Sequence, residues 1–177
     1  MHKLNTNSSE ICIKRVCSLS HNPKLKLENQ ICHSLYSATN ALVRAYRPLL
    51  EQLELTYPQY LVMLALWEQD KVVIKNLVER TRFDAGTLTP LLKRLSDKSL
   101  LNQKKSDTDS RQRIIELTHT GRALLSKADA IPDQLMCRID MSRDEAVLLK
   151  SLSEKLFEQL INNDKTDVNT GSETPSS

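Results

Sequence analysis

The spacing of apolar residues over positions 25–53 constrains the fold more than any other feature of the sequence. Apolar or small side chains recur there in steps of three and four, at Ile31, Leu35, Ala38, Leu42, Ala45, Leu49 and Leu53. Such steps place one side of an α-helix against a core. The chain holds only 3 glycines and 4% aromatic residues, the residue types on which turns and strands depend. The sequence therefore predicts a mainly helical protein whose first helix covers residues 25–53.

Local signals predict further helices. Pro58 opens the second one, with Thr56 or Tyr57 near its cap, and the stretch YLVMLALWE is apolar almost all round, which indicates a buried helix. KVVIKNLVERT is typical of a short helix, although its Val-Val-Ile start could also form a strand. Another helix begins within THTGRALLSKADAIPDQL. Ser142 and Glu145 have the spacing of a capping box at the start of the last helix.

Two short strand-like runs, LLNQKKS and RQRIIELT, are separated by the polar turn DTDS. A ribbon this short is not stable alone and must pack on the helices before it. The resulting order of helix, helix and ribbon predicts a winged helix-turn-helix within a helical frame: a mainly α fold with a small β-wing. Because the terminal helices are too amphipathic for a small monomer to cover, we expect a homodimer.

These signals divide the chain into three parts. Residues 1–24 are polar and without a clear period, and we expect this N-terminal extension to be disordered. Residues 25–162 form the winged-helix domain, with a DNA-binding lobe at about 57–118 and dimerisation helices at about 25–53 and 119–162. Residues 163–177 are a polar tail.

Composition excludes several classes of function. No apolar run is long enough to span a membrane, and the N-terminus lacks the features of a signal peptide, so we expect a cytoplasmic protein. The four cysteines are not spaced CxxC and no histidine cluster accompanies them, so neither a metal nor another cofactor is expected. Residues 71–125 carry 12 Lys/Arg and 6 Asp/Glu, a net charge of +6. The rest of the chain carries 13 Lys/Arg and 16 Asp/Glu, a net charge of −3. The middle of the chain is thus predicted to meet an anion.

The candidate recognition helix runs from Asp84 to Leu95. Its leucines fall on one side, whereas small, hydroxylated and basic residues fall on the other or flank it: Gly86, Thr87, Thr89, Pro90, Lys93 and Arg94. Capping rules alone would start this helix at Pro90, with Thr89 as its cap. The continuous leucine side and the good cap at Asp84 favour the earlier start. Small residues near a helix N-terminus allow close approach to a DNA groove.

The predicted wing supplies further cations. Lys104, Lys105, Arg111 and Arg113 surround Asp107 and Asp109. Asp109 can brace Arg111, two residues on, and aim its guanidinium into a minor groove, where arginine is favoured. A plain solvated hairpin is the alternative.

Together, DAGTLTPLLKRL, the D-x-R wing and LTHTG resemble the MarR family of winged-helix regulators. The stretch LENQICHSLY…YRPLLEQLELTYPQYLVMLALWE resembles, more narrowly, the organic hydroperoxide resistance regulators of that family. The resemblance covers about residues 26–160. This sequence departs from the pattern in three places: His33 replaces an aromatic residue after the cysteine, Glu54 stands where glycine is usual, and the N-terminal extension carries cysteines.

This resemblance implies a role for each residue near Cys32. Cys32 would be the peroxide-sensing thiol, Tyr46 and Tyr57 its hydrogen-bond donors, and Cys137 the resolving cysteine of members that close a disulfide. Tyr36, four residues after Cys32, can meet it on the same helix. Tyr46 lies about 21 Å further along at 1.5 Å per residue, so it could reach the thiol only from a partner subunit. The residues alone leave open whether Cys32 is a sensor or a small buried side chain.

Three functions are weighed. The favoured one is a repressor that binds a pseudo-palindromic double-stranded DNA operator as a homodimer and releases it when an organic hydroperoxide oxidises Cys32. The second keeps the fold but senses a small aromatic ligand, with Cys32 inert. The third, a thiol peroxidase, leaves the basic helix and wing without a purpose, so the chain is predicted not to be an enzyme.

Overall fold

The computed structural model describes residues 22–105 and 112–169, with side chains described as far as residue 162. The chain divides into two compact units, one ending at Asp129 and one beginning at Ala130. Among the described residues, no helix combines the length and apolarity needed to cross a membrane.

The first unit is a winged helix preceded by a long helix. Its helices are α1 (Ile31–Glu51), α2 (Tyr57–Glu68), α3 (Ile74–Thr81), α4 (Ala85–Asp97) and α5 (His119–Ala128), and its strands are β1 (Val72–Val73), β2 (Leu101–Lys105) and β3 (Arg113–Leu117). The strands form an antiparallel sheet in the order β1-β3-β2. The predicted fold class, mainly α with a small β-wing, is confirmed.

Helix α1 begins six residues later than its apolar spacing predicts. Residues 23–29 form two 3₁₀ turns instead. The Asn29 side chain donates to the Pro23 carbonyl at 2.8 Å, and the Gln30 side chain donates to the carbonyls of Lys24 and Lys26 at 2.6 and 3.0 Å. These amide groups satisfy main-chain acceptors outside a helix, so the regular helix starts only at Ile31.

The connection from α1 to α2 contains a left-handed residue. Glu54 has φ 51°, a backbone conformation that favours glycine, which is the residue usual at this position in the resembled regulators. Two residues later the Thr56 hydroxyl accepts from the Gln59 backbone N–H, while the Gln59 side chain accepts from the Thr56 backbone N–H. This reciprocal pair starts α2 at Tyr57 with Pro58 in its first turn, as predicted.

The Val-Val-Ile start of the segment KVVIKNLVERT contributes to a strand and to a helix. Val72 and Val73 pair with Ile115 and Ile114 of β3, and α3 begins at the next residue, Ile74. Two strand residues suffice to join the helical layer to the ribbon, which explains why both alternatives fitted the sequence.

The glycine of the LTHTG segment allows α5 to approach the ribbon closely. A Cβ at Gly121 would lie 2.0 Å from the Leu100 carbonyl oxygen, a separation that no side chain can adopt. The Gly121 carbonyl accepts a hydrogen bond from Trp67 Nε1 at 2.9 Å, and Thr118 Oγ1 donates to the Ser99 carbonyl at 2.7 Å. Helix α5 is therefore fixed to both α2 and the segment that leads into β2.

The second unit contains α6 (Ile131–Met136) and α7 (Arg143–Asn169). The segment THTGRALLSKADAIPDQL, in which a helix is predicted to begin, thus contributes to both α5 and α6. The capping box at the start of α7 is confirmed: the Glu145 backbone N–H donates to Ser142 Oγ at 3.2 Å, and the Ser142 backbone N–H donates to Glu145 Oε2 at 2.8 Å. Several large apolar side chains of α7 are exposed, namely Val147, Leu148, Leu149, Leu152, Leu160 and Ile161.

Candidate nucleic-acid interface and thiol site

Asp84 determines where the candidate recognition helix, α4, begins. Its Oδ1 accepts from the Thr87 backbone N–H at 2.8 Å, and Thr87 Oγ1 donates to Asp84 Oδ2 at 2.6 Å. These hydrogen bonds, that of the Thr87 hydroxyl above all, hold the pKa of the Asp84 carboxyl below its usual range. The predicted start at Asp84 is confirmed, and Pro90 lies inside the helix.

Helix α4 separates an apolar side from a polar one. Its four buried residues are Leu88, Leu91, Leu92 and Leu95. The predicted DNA-contacting residues in this segment are all exposed: Asp84, Gly86, Thr87, Thr89, Pro90, Lys93 and Arg94. Thr89 Oγ1 donates to the Ala85 carbonyl at 2.8 Å, and the Thr87 hydroxyl donates to Asp84. Both hydroxyls can thus offer lone pairs to an amino group on a base edge.

The ribbon brings a second set of cations to the same unit. Lys105 pairs with Arg113 across β2 and β3, and both side chains are exposed. Lys104 differs from them, because its Nζ lies 2.6 Å from Glu116 Oε2. The other two predicted wing residues, Asp109 and Arg111, lie outside the described residues.

Five charged residues meet where the ribbon joins the helices, and sequence patterns singled out only Lys104 among them. This wing-base cluster consists of Asp70, Lys71, Lys104, Glu116 and Arg122. Arg122 donates from Nε and Nη2 to Asp70 Oδ2, at 3.1 and 2.7 Å. The Glu116 carboxylate faces three cations, with nitrogen–oxygen distances of 2.6 Å to Lys104, 3.5 Å to Lys71 and 3.6 Å to Arg122.

Asp70 also holds the main chain of the ribbon. Its Oδ1 accepts from the backbone N–H of Leu117 at 2.8 Å. Burial of Asp70 opposes its ionisation, but the hydrogen bonds from Leu117 and Arg122 outweigh burial and lower the pKa of the carboxyl. The hydrogen bond from Lys104 likewise lowers the pKa of Glu116. Both groups are carboxylates at neutral pH, and together they bind β2, β3 and α5 to one another.

The candidate sensing thiol lies at the start of α1. Cys32 is the second residue of that helix and is exposed in the single chain. Tyr36, one turn further on, is also exposed, at 70%. Cys137 belongs to the second unit, where it is the exposed C-cap residue of α6.

The other two predicted phenols meet near the opposite end of α1. The rings of Tyr46 and Tyr57 have centroids 4.9 Å apart, and Tyr60, which the sequence did not single out, lies 5.8 Å from Tyr46. Burial, then the neighbouring Tyr57 and Tyr60, raise the pKa of Tyr46 to about 12. Burial also raises the pKa of Tyr57. Both phenols therefore keep their protons near pH 7 and can act as hydrogen-bond donors.

Within one chain these two phenols lie far from Cys32. Fourteen residues of helix separate Tyr46 from the thiol, or about 21 Å. Tyr57 borders a cleft of about 380 Å³ with apolar lining groups and two charged ones, Arg47 and Glu51. Among the described residues, no group of three His, Cys, Asp or Glu side chains could hold a metal ion.

Comparison with known proteins places this geometry in a class. Residues 44–128 match the family model described as "Transcriptional regulator SarA/Rot". The chain is 40% identical over 136 residues to the organic hydroperoxide resistance transcriptional regulator of Bacillus subtilis, an alignment that covers 77% of this chain and 92% of that protein.

Solved structures agree with the sequence relatives. The structure of reduced AbfR bound to DNA superposes with a TM-score of 0.67 at 29% identity, over 78% of this chain and 95% of that one; AbfR from Staphylococcus epidermidis is also known with a disulfide formed. Bordetella bronchiseptica BpsR, whose DNA binding is regulated by 6-hydroxynicotinic acid, superposes with a TM-score of 0.66 at 25% identity. The superposition covers 72% of this chain and 98% of BpsR.

The fold and these relatives define a class of winged-helix transcriptional regulators rather than enzymes. The chain belongs to the MarR family of such regulators, and within it is of the organic hydroperoxide resistance kind.

Proposed function

We propose that this protein is a homodimeric repressor that binds an operator in double-stranded DNA and releases it when an organic hydroperoxide oxidises Cys32. The observation that carries the proposal is an exposed thiol in the first turn of α1, in a chain 40% identical to an organic hydroperoxide resistance regulator. The reduced and disulfide forms of AbfR support a thiol-based mechanism by analogy.

Contact with DNA is assigned to the polar side of α4 and to the ribbon. The exposed α4 residues would face base edges in the major groove, and Lys93 and Arg94 the adjoining phosphates. Lys105 and Arg113 would approach the backbone, and Arg111, which lies outside the described residues, the minor groove. Two such surfaces in a symmetric dimer would bind a pseudo-palindromic site with half-sites about one helical turn apart.

A dimer is supported by apolar side chains exposed in the single chain. Ile31 in α1 is 68% exposed, and Leu148 and Leu152 in α7 are 58% and 55% exposed. A monomer would leave these side chains in water, and each Leu is worth roughly 1.5–3 kcal/mol on full burial. A dimer would also allow Tyr46 and Tyr57 of one subunit to donate to the Cys32 thiolate of the other, beside Tyr36 of its own helix.

The chemistry balances without a cofactor. The Cys32 thiolate attacks the distal oxygen of the hydroperoxide and the O–O bond breaks. The leaving alkoxide takes up the proton that the Cys32 thiol had released, so the products are a sulfenic acid and an alcohol. The Cys137 thiol then attacks the sulfenic sulfur and releases water as a disulfide forms. The two-electron oxidation of two thiols thus matches the two-electron reduction of one hydroperoxide.

The cleft beside Tyr57 supports a second candidate function. Its apolar lining suits a small aromatic ring and the Arg47 guanidinium suits a carboxylate, whereas Glu51 on the same lining opposes one. BpsR responds to an aromatic carboxylic acid. In this alternative the ligand, rather than oxidation, would alter DNA binding.

The test is a gel shift of the reduced protein on DNA from its own promoter, titrated with cumene hydroperoxide and then with dithiothreitol. Loss and recovery of the complex support the proposal. The Cys32→Ser protein should bind DNA at all peroxide doses, because serine forms no sulfenic acid. If Cys32→Ser releases DNA at the wild-type dose, sensing by Cys32 is wrong. Release by 6-hydroxynicotinate instead would favour the ligand-regulated alternative.

The resolving thiol is tested separately on non-reducing gels. Oxidised wild type should run as a covalent dimer and return to monomer after reduction, and Cys137→Ser should lose that band. A band that persists in Cys137→Ser but disappears in Cys12→Ser or Cys17→Ser would assign the resolving role to the N-terminal extension.

A further inference from the structure

The wing-base cluster contains two carboxylates in the unit that is proposed to contact DNA. Asp70 and Glu116 bring two negative charges into a segment whose other charged groups are mostly cationic. A carboxylate near a phosphate backbone opposes binding by simple Coulomb repulsion. Another contribution of these two carboxylates to DNA binding must therefore outweigh their repulsion of the phosphates.

The hydrogen bonds of the cluster indicate what that contribution is. Asp70 accepts from the Leu117 main chain of β3 and from Arg122 of α5, which are 47 and 52 residues later in the sequence. Glu116 joins Lys104 of β2 to Arg122. One connected group of charges therefore fixes the direction in which β2 and β3 leave the helices.

The two strands also contact the helices of the first unit, and β3 pairs with β1. Lys104, Lys105 and Arg113 are exposed, and the residues buried from the ribbon are Leu101, Ile115 and Leu117, all nearer its base. A ribbon held at one end swings more at its far end than at its base. Small changes in the charge cluster will thus be amplified at Lys105 and Arg113.

We propose that Asp70, Glu116 and Arg122 are positioning residues for DNA binding, which hold the ribbon at the angle needed for it to reach DNA together with α4. Lys104 belongs to this group rather than to the phosphate contacts, because its ammonium is directed to Glu116. The inference rests on the proposed DNA-binding function and adds residues to it that touch no DNA.

The direction in which one substitution changes DNA affinity distinguishes a positioning role from simple charge repulsion. Glu116→Gln removes a negative charge, so repulsion alone predicts tighter DNA binding. Positioning predicts binding about 5- to 10-fold weaker, since glutamine holds three cations less firmly than a carboxylate. The matched control is Glu79→Gln on α3, where the exposed carboxylate has a marginal 4.0 Å pair with Lys75. That protein should bind equally well or slightly tighter.

The salt dependence gives a second measure. A lost phosphate contact lowers the slope of log K against log salt by about 1. Glu116→Gln and Lys104→Ala should weaken binding without changing that slope, whereas Arg113→Ala should change it. Fluorescence anisotropy on labelled promoter DNA at several salt concentrations measures both quantities.

Two further variants cover the case in which Glu116→Gln does not fold. Asp70→Asn can keep the hydrogen bond from Leu117 while weakening the Arg122 pair, and Arg122→Lys keeps the charge while losing the two-nitrogen contact. Both should weaken binding with an unchanged salt slope and retain wild-type helix content by circular dichroism. Tighter binding by Glu116→Gln, or by Asp70→Asn if Glu116→Gln is unfolded, overturns the inference. Wild type that binds no promoter DNA overturns the proposed function instead.

Discussion

The wing base and the thiol end of α1 differ in how far a single chain completes them. At the wing base, the two carboxylates of the charge cluster find partners within the first unit, and Gly121 brings α5 against the Leu100 carbonyl. At the thiol end, Ile31, Cys32 and Tyr36 are exposed. A surface finished by its own chain can keep one geometry, whereas a surface left open depends on what covers it. We infer that the wing base fixes the geometry of the first unit, whereas the thiol end can change with whatever covers it.

The largest effect is expected where the wing base is tightest. Gly121→Ala places a methyl group 2.0 Å from a main-chain oxygen, which must move. The free energy of unfolding should fall by about 3 kcal/mol or more. Gly86→Ala is the control, because its Cβ would meet only the Asp84 side chain, at 3.0 Å. Urea denaturation followed by circular dichroism measures both, and equal losses would show that the wing base is not especially tight.

The next effect concerns the open surfaces. Leu152→Glu puts a charge into the apolar surface of α7 and should weaken dimerisation by at least about 2 kcal/mol, or roughly 30-fold. Lys150→Glu adds the same side chain about 160° around the helix, at 100° per residue, and should leave the dimer intact. Analytical ultracentrifugation over a dilution series distinguishes them. A Leu152→Glu protein that stays dimeric would place the interface elsewhere.

DNA binding gives an effect of intermediate size. Lys93→Ala and Arg113→Ala should each reduce affinity by roughly 1–2 kcal/mol and lower the salt slope by about 1, because each removes a phosphate contact. Lys24→Ala, before the thiol end, removes an exposed lysine outside the predicted interface and should change neither. Unchanged affinity and slope for both variants would contradict the assigned surface.

Protonation of Asp70 in acid should reduce the stability of the folded protein. The pKa of Asp70 is lowered in the folded protein, so its stabilisation is complete above about pH 4 and is lost as pH falls through the folded value. Between pH 7 and pH 3, wild type should lose roughly 1 kcal/mol more stability than Asp70→Asn. Urea denaturation at each pH measures this difference. Identical pH profiles would mean that Asp70 does not stabilise the fold through its charge.

The smallest effect lies between the two regions, at the left-handed Glu54. Glu54→Gly relieves the backbone conformation and should raise the free energy of unfolding by about 0.5 kcal/mol. Glu51→Gly, at the end of α1, should lower it by a similar amount. Thermal melts of the three proteins side by side provide the comparison, and a loss of stability in Glu54→Gly would show that its side chain matters more than its φ.

Local chemistry made much of this fold predictable. Asp84 caps α4 and Ser142 caps α7 through bonds to residues only three positions away, and a sequence pattern records such spacing directly. The earlier start of α4 outweighed the helix-starting preference of Pro90, because it adds Leu88 to the buried leucine side and allows Asp84 to cap the helix.

What escaped prediction depends on partners distant in sequence or on competing polar groups. Asp70 and Arg122 are 52 residues apart, and no periodicity links them. The late start of α1 arises from the side chains of Asn29 and Gln30, which bind main-chain carbonyls that an apolar pattern does not report. Tyr60 was hidden within an apolar run, although its position three residues after Tyr57 places both on one side of α2. The roles of Cys32 and Cys137 remain predictions, because each is exposed and its partner would belong to an assembly.

The sequence has one tryptophan, Trp67, and its indole N–H is bonded to the Gly121 carbonyl of α5. The Tyr60 ring lies 6.3 Å from it, and Tyr60 in turn neighbours Tyr46 of α1. The protein thus carries an intrinsic optical probe at the junction of α2 and α5, next to the tyrosine rings that lead to α1. Its emission wavelength and lifetime will register whether that junction shifts when thiols are oxidised or DNA is bound, without any label being attached.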